Sequence, residues 1–146
     1  KNKCSPWARN LHLQGCKIVV LIHDLDTKVL SKLRADLTQA FTPCPVKDYI
    51  IVIPVREIEA WLLSDENAIN TALNLKEKIK RINDPESIPD PKRKLSELIH
   101  RKSGKTKYYT NTTHNKMIAS NVMLENIRRC TSFLPLEEFL EGKFKR

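Results

Sequence analysis

The chain has 146 residues, a formal net charge of +9 and 40% apolar residues, with four cysteines and only three glycines. This length and composition predict one folded domain and exclude a fibrous or disordered chain. The longest apolar runs, IVVLI and YIIVI, are far shorter than the roughly 20 residues of a membrane span, so we expect a soluble protein with no membrane partner. Widely spaced cysteines argue against a structural zinc site and favour a reducing, cytoplasmic location.

The first half of the chain predicts a strand, a helix and a second strand. Residues 17–23 are a nearly continuous run of apolar, mostly β-branched residues, which predicts a strand covered on both faces. Residues 27–41 have apolar side chains at helical spacing, with Thr27 as a plausible N-cap, and the sequence TPCP ends this helix. Residues 48–55 predict the second strand. This order of elements indicates a parallel pair with a helical crossover.

The rest of the chain predicts helices and loops. Helical spacing of apolar residues occurs in five segments: 56–63, 65–75, 92–104, 117–130 and 134–144. Ser64 or Asp65 is the expected N-cap of the second segment, and the proline-rich residues 83–91 predict a loop. The polar residues 105–116 are expected to be irregular. We therefore predict a single α/β domain, with a core at 17–75 and a basic loop and helical segment at 76–146.

Acidic residues follow both predicted strands. Asp24 and Asp26 come after the first strand, and Glu57 and Glu59 after the second. Ligands bind at the carboxyl ends of strands in open parallel sheets. If the backbone stays extended through Asp26, both aspartates share one face with Cα atoms roughly 6–7 Å apart, and paired carboxylates can hold Mg²⁺ or Mn²⁺. The alternative is that one aspartate only caps the following helix. A regular helix would place Glu57 and Glu59 on either side of its apolar face, so both cannot reach one site.

The positive charge is concentrated in the middle of the chain. Residues 76–107 carry eleven Lys and Arg against five Asp and Glu, which is two thirds of the net charge. Such a stretch favours a polyanion, most often nucleic acid; the alternative is a solvated surface. The candidate nucleic-acid-binding residues are Lys92, Arg93, Lys94, Arg101, Lys102, Lys105, Lys107, Tyr108 and Lys116. Tyr108 and its neighbour Tyr109 would either stack on bases or anchor their loop on the core.

Several of these motifs resemble a known family. A hydrophobic strand ending in DLD, at 24–26, is similar to the second signature of TOPRIM domains, the metal-binding fold of topoisomerases, primases and nucleases of the overcoming-lysogenization-defect type. EIEAWLLSD, at 57–65, resembles a motif of uncharacterised TOPRIM-like bacterial proteins, often encoded beside ABC-like or SMC-like ATPases in suspected phage-defence loci. PKRKL at 91–95, YYTNTTHNK at 108–116 and CTSFLPLEEFL at 130–140 extend the resemblance along the chain.

The resemblance implies a fold, a site and an activity. The fold would be a TOPRIM-like Rossmannoid parallel sheet flanked by helices, with a helical C-terminal part. Asp24 and Asp26 would be catalytic metal ligands for Mg²⁺ or Mn²⁺, with Glu57 or Glu59 as a further catalytic acidic group and Glu59 as a third ligand. The activity would be phosphodiester hydrolysis of DNA or RNA, and a partner ATPase is implied by the family context.

One part of the TOPRIM pattern has no counterpart in this sequence. The fold begins with a strand that ends in a catalytic Glu, and residues 1–16 contain no acidic residue. We expect either that this strand is missing from the given chain or that the protein has lost a catalytic group. The alternative function is therefore a non-catalytic subunit that binds nucleic acid or protein within an ATPase-containing complex.

Overall fold

The computed structural model describes residues 4–144, with side chains from Ser5 onward, and shows a mixed α/β protein, as predicted. Two strands form a parallel sheet, β1 (Ile18–Ile22) and β2 (Asp48–Val52). The helices are α1 (Cys4–Leu13), α2 (Leu30–Phe41), α3 (Glu59–Leu62), α4 (Glu66–Leu73), α5 (Pro91–Lys102), α6 (Asn111–Ala119), α7 (Leu124–Ile127) and α8 (Leu134–Phe144). Short 3-10 turns occur at Pro85–Ser87 and Thr131–Phe133.

The chain divides into two compact units. The first contains the described residues up to Ile53 together with those from Pro135 onward, and the second runs from Pro54 to Leu134. The sequence-based boundary between the core and the basic segment, at residues 75 and 76, thus falls inside the second unit. No helix within residues 4–144 is long and apolar enough to cross a lipid bilayer.

In the first unit, α2 connects two parallel strands, as the sequence predicts. β1 and β2 pair in register from Ile18 opposite Asp48 to Ile22 opposite Val52. Apolar residues one helical turn apart on α2, among them Leu33 and Leu37, pack against the sheet because this spacing puts them on one helix face. Their cluster also contains Ala8, Val19, Phe41, Val46, Ile51 and Ile53.

Two details of this unit differ from the predictions. Val20 and Ile22 are 36% and 40% exposed, so the expectation that both faces of β1 are covered is wrong. Successive strand residues point to opposite faces, and Val19, which points the other way, is the one buried in the apolar cluster. Thr27 is not the N-cap of α2, because the helix begins only at Leu30, with Val29 in the cap position and no side-chain capping bond.

The second strand and the helix that follows it are both shorter than predicted. β2 ends at Val52, and Arg56 has a left-handed backbone with φ of 63°. A regular helix cannot continue through such a residue, so α3 covers only Glu59–Leu62 of the predicted 56–63. Trp61 is buried, as its place on the apolar face predicts.

The second unit is built from helices around one apolar cluster. Its fully or nearly buried members are Leu62, Leu63, Ala68, Ile69, Leu73, Ile79, Leu95, Leu98, Ile99 and Ile118. Asp65 caps α4 by accepting a hydrogen bond from the Ala68 N–H at 2.9 Å, as predicted. The basic helix α5 ends at Lys102, and Gly104 with φ of 69° turns the chain, again as predicted.

The region from residue 105 to residue 130 was predicted less well. The polar sequence NTTHNK was expected to be irregular, but it forms most of α6. The predicted helix at 117–130 is interrupted after Ala119 and resumes only as the short α7. Ile118 is the buried residue of α6 and packs in the apolar cluster of the second unit. Tertiary packing of this kind stabilises helices whose own sequence pattern does not indicate them.

Candidate functional site

Asp24 and Asp26 lie directly after β1, at the carboxyl end of the parallel pair. The pairing extends one residue past the strand, because the His23 N–H donates to the Val52 carbonyl at 3.1 Å. The backbone then turns: Asp26 has φ of 52°, and the Lys28 N–H bonds the Leu25 carbonyl at 3.0 Å. The predicted extended backbone through Asp26 is therefore wrong. Strand geometry does not put the two carboxylates on one face.

The turn itself has an identifiable anchor. Leu25, between the two aspartates, is half-buried and packs against the apolar cluster of the first unit. Asp is among the residues that tolerate a left-handed backbone best, which explains how the chain can reverse at Asp26. Asp24 is half-buried and Asp26 is exposed. The sequence thus places the two carboxylates on either side of a leucine that holds the turn on the core.

Two basic residues, Lys28 and His23, contact the two aspartates. Lys28 Nζ lies 4.0 Å from Asp26 Oδ2, with both side chains about half exposed, and such a pair contributes little stability. His23 Nδ1 lies 2.7 Å from the Asp24 carbonyl oxygen, which can only accept, so Nδ1 carries the proton. Neither Asp24 nor Asp26 occupies the N-cap position of α2, because that position is Val29.

The chemistry of this pair fits a magnesium or manganese ion. Carboxylate oxygens are the ligands that these hard cations prefer, and Mg²⁺ in particular is commonly held by one or two carboxylates, with water and substrate phosphate completing its shell. Among residues 5–144, no group of three or more His, Cys, Asp or Glu side chains is placed to hold a metal ion.

Glu59 belongs to the second unit and is 4% exposed. Its Oε1 accepts hydrogen bonds from the Tyr109 hydroxyl at 2.7 Å and from Asn115 Nδ2 at 3.3 Å, and Tyr109 and Asn115 also contact each other. Burial, the hydrogen bond to Glu59 and the charge of Glu59 all raise the pKa of Tyr109, so its hydroxyl remains protonated and able to donate. Asn115 was not among the predicted site residues, and Tyr109 was predicted only to stack on bases or to anchor its loop on the core.

Glu57 also binds groups of the second unit. Its Oε2 accepts from the Lys92 N–H at 3.0 Å, in the first turn of α5. Asp90 caps the same helix by accepting from the Arg93 N–H at 2.8 Å. Two carboxylates thus satisfy main-chain donors at this helix start, where negative charge is favourable. The predicted catalytic residues therefore lie in different units, Asp24 and Asp26 in the first and Glu57 and Glu59 in the second.

The predicted nucleic-acid-binding residues lie on or next to two helices of the second unit. Lys92, Arg93, Lys94, Arg101 and Lys102 are on α5, Lys105, Lys107 and Tyr108 are in the segment after it, and Lys116 is on α6. Two of them are ion-paired: Arg93 lies 3.6 Å from Asp90 and 3.8 Å from Glu97, and Lys102 lies 2.7 Å from Glu77.

The two adjacent tyrosines have different surroundings. Tyr109 packs against the apolar cluster of the second unit and binds Glu59. Tyr108 is 73% exposed, and its ring meets the His100 ring at a centroid distance of 4.8 Å and an angle of 32°. Tyr109 is thus the residue that anchors the segment on the core, whereas Tyr108 presents its ring to solvent.

Comparison with known proteins identifies the family of the chain. The family model described as "Domain of unknown function (DUF4276)" matches residues 3–141, which include both acidic motifs and the basic segment. The chain belongs to the DUF4276 family. No curated protein and no solved structure matches it.

Asp65, the last residue of EIEAWLLSD, holds two parts of the DUF4276 chain together within the second unit. It is 1% exposed and accepts hydrogen bonds from the Ala68 N–H, the Met123 N–H at 3.0 Å and Asn126 Nδ2 at 2.9 Å. Burial alone would raise the pKa of Asp65, but the hydrogen bonds from Met123, Asn126 and Ala68 outweigh it and lower the pKa. This aspartate is a structural anchor as well as the predicted cap.

Ser132 has a similar role in the DUF4276 chain. Its Oγ accepts from Trp61 Nε1 at 2.8 Å and donates to the carboxylate of Glu86. The Trp61 ring meets Phe133 edge-on at a centroid distance of 5.4 Å. A buried Trp needs a partner for its N–H, so a partner is predictable in principle, but no sequence spacing identifies residue 132 as that partner.

Proposed function

We propose that this DUF4276 chain carries the metal-binding carboxylates of a Mg²⁺-dependent or Mn²⁺-dependent nuclease that acts on DNA or RNA. The observation that supports the proposal best is the position of Asp24 and Asp26, which follow β1 at the carboxyl end of a parallel strand pair. Ligands bind at this edge in open α/β sheets. The sequence resemblance adds a bacterial phage-defence setting and an ABC-like or SMC-like ATPase partner to the proposal, and the cysteine pattern adds a cytoplasmic location.

In this proposal the two aspartates hold the ion. An ion held there would supply Lewis-acid polarisation of the scissile phosphate and a bound water of lowered pKa. Leu25 fixes the turn from the apolar side, and His23 holds the carbonyl of Asp24. The cations of the second unit that make no ion pair among the described residues, such as Arg101 and Lys105, bind the phosphate backbone.

Glu57 and Glu59 have a different part in the proposal. Both carboxylates accept hydrogen bonds from the second unit, Glu57 from Lys92 and Glu59 from Tyr109 and Asn115. We therefore assign them to positioning α5 and the segment that carries Tyr108 and Tyr109. The carboxylates that bind metal are then Asp24 and Asp26.

Calorimetric titration of the chain with Mn²⁺ tests the metal site. Wild type should bind the ion, and Asp24→Asn/Asp26→Asn should lose affinity by more than the roughly 10–100-fold that loss of an outer-shell partner costs. Asparagine keeps the size of the side chain and tolerates the left-handed backbone of residue 26, so the variant isolates the charge. The same two proteins are then compared for Mn²⁺-dependent cleavage of DNA and RNA.

Asp36→Asn is the matched control, because Asp36 is an exposed aspartate on α2 in the same unit. Circular dichroism establishes that all three proteins are folded. Equal Mn²⁺ affinity in wild type and the double variant, or no binding by folded wild type, contradicts the proposal for this chain.

The second candidate function is a non-catalytic subunit that binds nucleic acid. The observation in its favour is that Glu57 and Glu59 both accept hydrogen bonds from groups within the second unit. This candidate predicts nucleic-acid binding that is unchanged by Mn²⁺ and by Asp24→Asn/Asp26→Asn, with no cleavage of either nucleic acid.

A further inference from the structure

The segment that follows α5 presents an aromatic ring in a fixed position. Tyr108 is 73% exposed, although its ring lies against His100. His100 is itself held, because its Nδ1 bonds the Lys107 carbonyl oxygen at 3.3 Å. Because the Tyr108 ring already packs on the His100 ring, it loses little conformational entropy when a flat ligand stacks on it.

The backbone beneath this ring is a tight, hydrogen-bonded turn. Ser103 is 1% exposed, and its Oγ accepts from the Thr106 N–H at 3.2 Å and from the Lys107 N–H at 3.0 Å. The same Oγ donates to the His100 carbonyl at 2.9 Å, and the Lys105 N–H bonds that carbonyl at 2.8 Å. The turn is therefore ordered by its own side chains before any ligand binds.

Positive charge surrounds the turn. Lys105 and Lys107 belong to it, and Arg101 lies in the last turn of α5. None of the three makes an ion pair within the part of the chain that the structure describes; the nearby pair joins Lys102 and Glu77. Lys76 adds a further ammonium group, since its Nζ would lie 3.3 Å from a Cβ at Gly104. Cations close in sequence to an exposed ring suit one strand of nucleic acid, in which phosphates and bases alternate.

We propose that this turn binds single-stranded nucleic acid, with Tyr108 stacked on one unpaired base and the cations of the turn on the flanking phosphates. A base within a duplex is already stacked on its neighbours and does not present its face to a protein ring, whereas an unpaired base does. This inference rests on the proposed function, action on DNA or RNA. It adds that the turn recognises single strands rather than duplexes.

Fluorescence anisotropy in EDTA tests the inference, because cleavage cannot occur and the metal site does not contribute. The probes are labelled single-stranded DNA and RNA and a duplex of the same length, measured with wild type, Tyr108→Ala and Tyr108→Phe. Tyr108→Ala should weaken single-strand binding roughly 5- to 150-fold, the range that corresponds to stacking of one base, and should leave duplex binding unchanged. Tyr108→Phe should bind like wild type, since stacking needs the ring and not the hydroxyl.

Further variants and probes separate stacking from charge and from folding. Tyr108→Leu keeps an apolar side chain without a π face and should weaken single-strand binding by the amount expected for Tyr108→Ala. It takes the place of the alanine variant if that variant does not fold. Lys105→Gln should weaken single-strand and duplex binding alike. For single strands, the slope of log K against the logarithm of the salt concentration should become less steep by about 0.7 for each phosphate that the lysine neutralises. A strand with abasic sites should bind wild type and Tyr108→Leu equally.

Three results would overturn the inference: no single-strand binding by wild type, equal affinities of wild type and Tyr108→Leu, or equal losses on single strands and duplex. Its failure is distinguishable from failure of the nuclease proposal. Unchanged binding by Tyr108→Leu together with loss of Mn²⁺ affinity in Asp24→Asn/Asp26→Asn removes only the stacking site. The reverse pair of results removes only the metal site.

Discussion

The DLD turn and the EIEAWLLSD segment are both acidic, yet the structure uses their carboxylates differently. Asp26 lies on an exposed turn, with Lys28 at 4.0 Å as a weak partner. Glu59 and Asp65, by contrast, are buried, and each accepts two hydrogen bonds from distant parts of the chain. Burial of an ionised carboxylate is tolerated only where donors surround it. The second motif therefore contributes to folding through Glu59 and Asp65, whereas the first motif has one exposed carboxylate, Asp26, and one half-buried carboxylate, Asp24.

The largest loss of stability is expected for substitution of Asp65. Asp65→Ala should lower the free energy of unfolding by roughly 3 kcal/mol or more, because it leaves the donors of Ala68, Met123 and Asn126 without their acceptor. Urea unfolding followed by circular dichroism measures the change. Asp36→Ala, at an exposed position, is the control and should stay within about 0.5 kcal/mol of wild type. Equal stability of the two variants would show that Asp65 is no anchor.

The same carboxylate predicts how stability changes with pH. The folded-state pKa of Asp65 is lowered, so its contribution is fully present above the ordinary value of 3.8 and is lost as the pH falls below that value towards the folded-state pKa. Wild type should therefore lose more stability than Asp65→Asn between neutral pH and about pH 3. Urea midpoints measured across this range check the sign, and parallel curves for the two proteins would contradict it.

A smaller effect is expected at Glu59. Glu59→Gln keeps the size of the side chain but weakens the hydrogen bond from Tyr109, and should cost about 1–2 kcal/mol of unfolding free energy. Tyr109→Phe removes the same hydrogen bond from the other side, so the double variant should be less destabilised than the sum of the single variants. Additive losses in this double-mutant cycle would indicate that the two groups are not coupled.

The smallest effect on stability is expected in the DLD turn. Asp26→Asn should change the free energy of unfolding by less than about 0.5 kcal/mol, because its partner Lys28 is half exposed and the backbone conformation suits Asn. The same variant should nevertheless lower Mn²⁺ affinity, measured by calorimetry. A large loss of stability would place Asp26 with the structural carboxylates and would remove the contrast between the two motifs.

Much of the local structure was predictable from the sequence because it depends on neighbours along the chain. The apolar run of β1, the helical spacing of α2 and α5, the capping by Asp65 and the turn at Gly104 all follow from side-chain periodicity and backbone preference. The turn at Asp26 and the start of α6 did not follow. Each contains an apolar side chain, Leu25 or Ile118, that packs in a cluster drawn from several separate segments, and such packing is not visible in the local sequence pattern.

The amino-acid sequence alone was enough to locate the charged residues and most strands and helices, and thereby to place two carboxylates after a parallel strand and eleven cations in one central stretch. What these charges do depends on the tertiary structure. Glu59 binds Tyr109 and Asn115, Asp65 binds Met123 and Asn126, and Tyr108 is exposed beside His100 while its neighbour Tyr109 packs on the core. The physical reason is that a buried carboxylate requires donors within about 3 Å, and those donors come from segments about 50 to 60 residues away along the chain.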